Sequence, residues 1–138
     1  ILVETSLVPG VLLRNKYLEF ICKNVFVKIK NKKNTYFKNI ENEVLEFHIA
    51  HNEGNYFCTK DQLKEIEDNE QVAINYCDKE GKTKEQFNPN GSLKNIAGIF
   101  NKEKNVLGMM PHPERMIDTS LSGEDGSLFF NNLINNLK

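Results

Sequence analysis

Residues 20–30, FICKNVFVKIK, constrain the fold more than any other stretch. β-Branched and aromatic side chains dominate it, and Val25, Val27 and Ile29 recur at every second position. Successive side chains of a strand point to opposite faces, so this spacing predicts a strand with one face buried and the other in water. Such a face must be covered, which commits the chain to a sheet packed against other elements.

The remaining segments supply those elements. EFHIAH (46–51) and NYFCT (55–59) read as two strands around the turn Asn52-Glu53-Gly54, and QVAINYC (71–77) as another. KDQLKEIEDN (60–69) reads as a short helix, with Asp61 as its candidate cap and with Leu63 and Ile66 on one face. DKEGKTKEQFNPNGS (78–92) is dense in turn formers. NIAGIF (95–100) and NVLGMM (105–110) read as a hairpin-like pair that delivers the chain to Pro111. In EDGSLFFNNLINNL (124–137), Phe130, Leu133, Ile134 and Leu137 lie at helical spacing, predicting a helix whose apolar stripe packs on the core. At the other end, ILVETSLVPG (1–10) reads as the middle of a helix that stops before Pro9-Gly10, as in a fragment whose beginning is missing. No repeat or low-complexity linker interrupts residues 1–138. Strands with helices at both ends and one between predict a single α/β layered unit.

Charge and cysteine usage narrow the function. Eighteen Lys and Arg against nineteen Asp and Glu leave a net charge of −1, which offers no footprint for a phosphate backbone, and no nucleic-acid partner is expected. The basic run Lys28–Lys33 reads as a solvated turn between strands. No apolar stretch approaches the roughly eighteen residues of a membrane span, and the first residues lack signal-peptide order, so a cytoplasmic protein without membrane contact is expected. Cys22, Cys58 and Cys77 are odd in number and form no CxxC pair, which argues against a disulfide framework or a zinc knuckle. Each sits in an apolar or strand-like stretch and is expected to be a buried free thiol.

Chemistry concentrates in MMPHPER (109–115). Pro111 and Pro113 restrict the backbone on both sides of His112, and in an extended segment the side chain of Glu114 leaves on the same side as the imidazole. A carboxylate there fixes the tautomer and leaves the other nitrogen free to take a proton from a nucleophile. On spacing alone, a rigid surface turn with a satisfied histidine remains the alternative. A second cluster, HIAHNEGNY (48–56), has His48-x-x-His51 and Glu53. Residues three apart on a strand point to opposite faces and no cysteine stands at finger spacing, so no metal is expected. The reading is a strand end and tight turn that presents His51 and Glu53 at a rim. NPNGS (88–92), taken alone, is a turn.

Taken in order, PGVLLRN (9–15), FICKNV (20–25), IAHNEGNY (49–56), NPNGSLKNIAGI (88–99) and NVLGMMPHPER (105–115) resemble the glutaminase subunits of phosphoribosylformylglycinamidine synthase, class I glutamine amidotransferases of purine biosynthesis. The resemblance runs over nearly the whole chain and favours the small stand-alone subunit. It implies the C-terminal portion of a three-layer, flavodoxin-like α/β domain in which a cysteine on a strand-to-helix turn attacks the glutamine amide to give a thioester and ammonia. His112 would be the base, Glu114 its orienting carboxylate, and His51 and Glu53 substrate-side or interface residues. His51 as a packed strand-end histidine and Glu53 as a turn cap remain the alternatives.

The family's nucleophile lies in a Gly-x-Cys-Asn-Gly-x-Gln elbow whose following helix resembles residues 1–10, and none of Cys22, Cys58 or Cys77 matches it. Residues 1–138 are therefore expected to be a partial domain, inactive alone. Asn52 stands where the family has glycine, a substitution that a left-handed turn position tolerates. The implied partners are glutamine, a large ATP-dependent synthetase subunit and a small bridging subunit; no cofactor is implied. A glutaminase for another acceptor and a non-catalytic synthetase-binding module are the alternative readings.

Overall fold

The computed structural model describes residues 1–120 and 123–137. In chain order it contains β1 (Val11–Leu13), β2 (Ile21–Ile29), β3 (Val44–His51), β4 (Asn55–Phe57), α1 (Lys60–Asp68), β5 (Val72–Cys77), β6 (Ile96–Phe100), β7 (Leu107–Met109) and α2 (Asp125–Asn136). Five strands form a sheet in the order β3-β2-β5-β6-β7, and β1 and β4 form a separate ribbon. Every paired neighbour runs antiparallel.

The alternation in β2 sets the sheet's buried face. Val25 pairs with Phe47 and Val27 with Leu45, so this face of β2 and β3 is one apolar layer. Val27, Leu45, Phe47 and Ile49 have no exposed surface, and each such burial contributes about 1.5–3 kcal/mol. Phe37 and Ile40 from the connection after β2, Phe100 of β6 and Phe129 of α2 complete this cluster. Phe37 stacks obliquely on Phe129 with ring centres 5.6 Å apart. A second cluster gathers Ile66 of α1, Ile96 and Ile99 of β6, Tyr56 and Val8. The two helices thus serve different apolar clusters, giving the expected α/β layering.

The chain leaving β7 does not drift away from the sheet. His112 forms a bridge with His48 of β3, the opposite edge strand, and its N–H donates to the His48 carbonyl at 2.7 Å. The sheet therefore curls, and MMPHPER spans its two edges.

Residues 1–8 hold a hydrogen-bonded turn with the closing pattern of a helix end, in which Thr5 donates to Ile1 and Ser6 and Leu7 donate to Val3 and Leu2, with Ser6 at φ 58°, so the expected stop before Pro9-Gly10 is present. Three expectations need correction. Thr59, not Asp61, caps α1, through a reciprocal pair in which its hydroxyl accepts from the Gln62 N–H and its own N–H donates to the Gln62 side chain. The buried face of α2 runs through Gly126, Phe129 and Asn132, which leaves Ile134 and Leu137 exposed. Asn132 donates to the Tyr36 carbonyl and accepts from the Asn39 N–H, so a polar residue occupies a core position that apolar periodicity assigns elsewhere. Cys22, expected to be buried, is exposed, whereas Cys58 and Cys77 are buried.

Candidate active site

His112 sits where the two sheet edges meet. Its φ of −108° and ψ of 85° suit a residue before proline, and Pro113–Arg115 then form a single 3₁₀ turn. The segment is therefore not extended through Glu114, yet the turn still brings the carboxylate to the ring: His112 Nδ1 and Glu114 Oε1 are 2.7 Å apart. A carboxylate only accepts, so Nδ1 carries the proton and Nε2 presents its lone pair. Among the described residues Nε2 has no hydrogen-bond partner. Both side chains reach solvent, and an exposed pair of this kind contributes about 0–1 kcal/mol to stability. Its consequence lies in ring orientation.

The turn is supported from behind by α2. Gly126 donates its N–H to the Met116 carbonyl at 2.8 Å, and a side chain there would overlap the Pro113 carbonyl oxygen. Met116 and Pro113 are buried beneath the turn. Glycine at 126 is thus a positioning residue for His112, one that periodicity gives no reason to single out.

His51 lies in a different environment. It is 7% exposed, so its ring is not at the rim. Asn15 donates to the carbonyls of His51 and Glu19 at 2.9 and 2.8 Å, which turns its own Oδ1 toward His51 Nδ1 at 3.1 Å and the Gly54 N–H at 2.9 Å. Nδ1 must then donate, leaving Nε2 as acceptor, 3.4 Å from the Asn90 amide nitrogen. Asn90 also donates to the Gly54 carbonyl at 2.7 Å, and the Ser92 hydroxyl reaches the same oxygen at 3.0 Å. Burial holds the His51 pKa below its ordinary value; its own backbone contact opposes this, and the neighbouring His112 adds to it. This network fits the packed strand-end histidine. Glu53, by contrast, is exposed on the turn.

Sequence reasoning missed Asn15, Asn90 and Ser92 as the residues that build this turn. The signal lies in PGVLLRN, IAHNEGNY and NPNGS, but their meeting is a tertiary fact. His48 and His51 fall on opposite faces of β3, as their spacing requires, and no trio of His, Cys, Asp or Glu among the described residues is arranged to hold a metal. None of the three cysteines hydrogen-bonds to His112 among the described residues. Burial pushes the Cys77 thiol up to about 11 and raises that of Cys58. A cavity of about 250 Å³ lined by Val8, Leu12, Tyr56, Ile99 and Met109 is apolar and carries no acid–base pair.

The family resemblance is matched by known proteins. The family model described as the CobB/CobQ-like glutamine amidotransferase domain matches residues 1–124. The phosphoribosylformylglycinamidine synthase subunit PurQ of Pelagibacter ubique (strain HTCC1062) is 74% identical over the whole chain, which covers 61% of that protein. The subunit of the same name from Aquifex aeolicus (strain VF5) is 43% identical over 97% of the chain and 60% of its own length. The chain thus spans about 60% of the length of these curated relatives. Among solved structures, that of PurLQS from Thermotoga maritima superposes with a TM-score of 0.81 at 34% identity, over 99% of this chain and 57% of that one. The expected class I glutamine amidotransferase fold is borne out by this likeness. No described helix is long and apolar enough to cross a membrane.

Proposed function

Because the chain belongs to the CobB/CobQ-like glutamine amidotransferase family, we propose that it forms part of the glutaminase subunit of a phosphoribosylformylglycinamidine synthase. In this reading the protein hydrolyses glutamine to glutamate and ammonia in the cytoplasm, and a large synthetase subunit, docked with a small bridging subunit, uses the ammonia. The family's description supports glutamine as the substrate, and the relatives' names support the assembly. The observation that carries the chemistry is the 2.7 Å contact between His112 Nδ1 and Glu114 Oε1, beside an Nε2 unpaired among the described residues.

His112 Nε2 takes the proton of a cysteine thiol as the sulfur attacks the glutamine side-chain carbonyl, and returns it to the departing ammonia. Glu114 holds the tautomer and stabilises the imidazolium. The nucleophile lies outside residues 1–138, on the strand-to-helix elbow of the family. His51 acts as a positioning residue that shapes the Asn52-Glu53-Gly54 turn, and Glu53 faces glutamine or the synthetase.

The test is peptide mapping of the full-length protein, with its synthetase, after treatment with an electrophilic glutamine analogue. Labelling of a cysteine other than Cys22, Cys58 and Cys77 is expected, and it should be lost in His112→Ala. An unlabelled protein that still binds the synthetase would instead be a binding module on a glutaminase scaffold.

A further inference from the structure

The outer face of the β2–β3 ladder carries a second constellation that glutamine hydrolysis does not use. Asn24 pairs with His48 and Cys22 with Ala50, so Cys22, Asn24, Glu46 and His48 project from the face opposite to Val25 and Phe47. Cys22 Sγ lies 3.3 Å from His48 Nε2, His48 Nδ1 lies 2.9 Å from Asn24 Oδ1, and Asn24 Nδ2 lies 3.2 Å from Glu46 Oε1.

The directions of these contacts follow from the far end. The Glu46 carboxylate only accepts, so Asn24 turns its amide N–H toward it and its oxygen toward His48. That oxygen also only accepts, so His48 Nδ1 carries the proton. Nε2 is left with its lone pair facing the Cys22 thiol. The arrangement has the parts of an activated nucleophile: thiol, base, and a group that orients the base. Unlike Cys58 and Cys77, Cys22 is exposed. It also lines a polar groove of about 880 Å³ of mixed charge, with Lys16, Lys94, Glu19 and Glu85, room for a tripeptide-sized compound bearing both carboxylates and an ammonium group.

We propose that Cys22 is a base-activated thiol and a modification site for low-molecular-weight disulfides of the glutathione class. His48 Nε2 takes the thiol proton as Cys22 Sγ attacks one sulfur of the disulfide. The new S–S bond forms as the old one breaks, and the departing sulfur leaves as a thiolate that recovers the proton from His48. The Cys22 sulfur is oxidised and the departing sulfur reduced, so the incoming disulfide is the only oxidant. Nothing in this step depends on the glutaminase reading.

The experiment incubates the full-length protein with oxidised glutathione and follows the mixed disulfide by peptide mapping, beside a synthetic peptide spanning residues 20–25. In the folded protein Cys22 is expected to react at least about tenfold faster than in the peptide. His48→Gln should bring the rate down to that of the peptide, Asn24→Ala should lie between, and Cys22→Ser should remove the adduct. A folded wild-type protein reacting no faster than the peptide overturns the proposal without reliance on any variant. So does His48→Gln reacting as fast as wild type.

Discussion

Around His51, Asn15, Asn90 and Ser92 close a buried network, whereas the His112 ring, on the segment that spans the sheet edges, keeps one contact and one free nitrogen among the described residues. The same imidazole serves opposite ends in the two places. At His51 both ring nitrogens face partners and burial disfavours the charged form. At His112 the carboxylate fixes the tautomer while Nε2 stays available, which a proton carrier needs. The difference teaches that what each ring nitrogen faces, more than the motif in which a histidine is found, separates a scaffold histidine from one able to carry a proton.

The sharpest way to break this comparison is to remove the reactive ring. In the full-length protein His112→Ala should lower glutamine-dependent ammonia production by on the order of a thousandfold, while synthesis with added ammonium persists. The denaturation midpoint should move little, because the ring's one side-chain contact is solvent-exposed. Loss of both activities, or a large stability change, would place His112 with His51 as scaffold.

Gly54→Ala probes the other side. A side chain at 54 would overlap the His51 ring, so the ring must leave its place and release its contacts with Asn15 and Asn90. A loss of about 3 kcal/mol in urea unfolding is expected, from overpacking and unpaired buried groups together. An unchanged midpoint would show that the network yields without cost. Glu114→Gln should have a smaller effect, about tenfold on thioester formation, because it keeps the shape while a charge-assisted hydrogen bond to the ring becomes a neutral one. Wild-type thioester kinetics in that variant would remove Glu114 from the mechanism.

How much of this was legible depended on whether a feature was local. The strand at β2 could be read because Val25, Val27 and Ile29 bury one face at period two, and the His112–Glu114 pair because two residues of separation suffice for contact in either an extended segment or a 3₁₀ turn. β1 could not be read: Val11–Leu13 is too short to show alternation and exists only by pairing with β4. The face of α2 was misassigned because the buried Asn132 is invisible to a hydrophobic pattern. Cys22, Asn24 and His48 come together only through cross-strand register, which sequence spacing does not encode.

The smallest expected effect is on pH dependence, and its sign separates the two histidines again. In the unfolded chain His51 titrates near its ordinary value of 6.5, and in the folded protein burial lowers that value. Between the two, the unfolded state binds more protons than the folded one, so stability rises with pH in that window and falls as the medium is acidified below about 6.5. The slope cannot exceed about 1.4 kcal/mol per pH unit for one group. His51→Gln, which can still accept from Asn90, should flatten the slope of unfolding free energy between pH 6.5 and 5.5, even at some cost in absolute stability. A slope unchanged by that substitution would mean that His51 accepts a proton where it stands, and the network would have to reorient Asn15 or Asn90 to accommodate it.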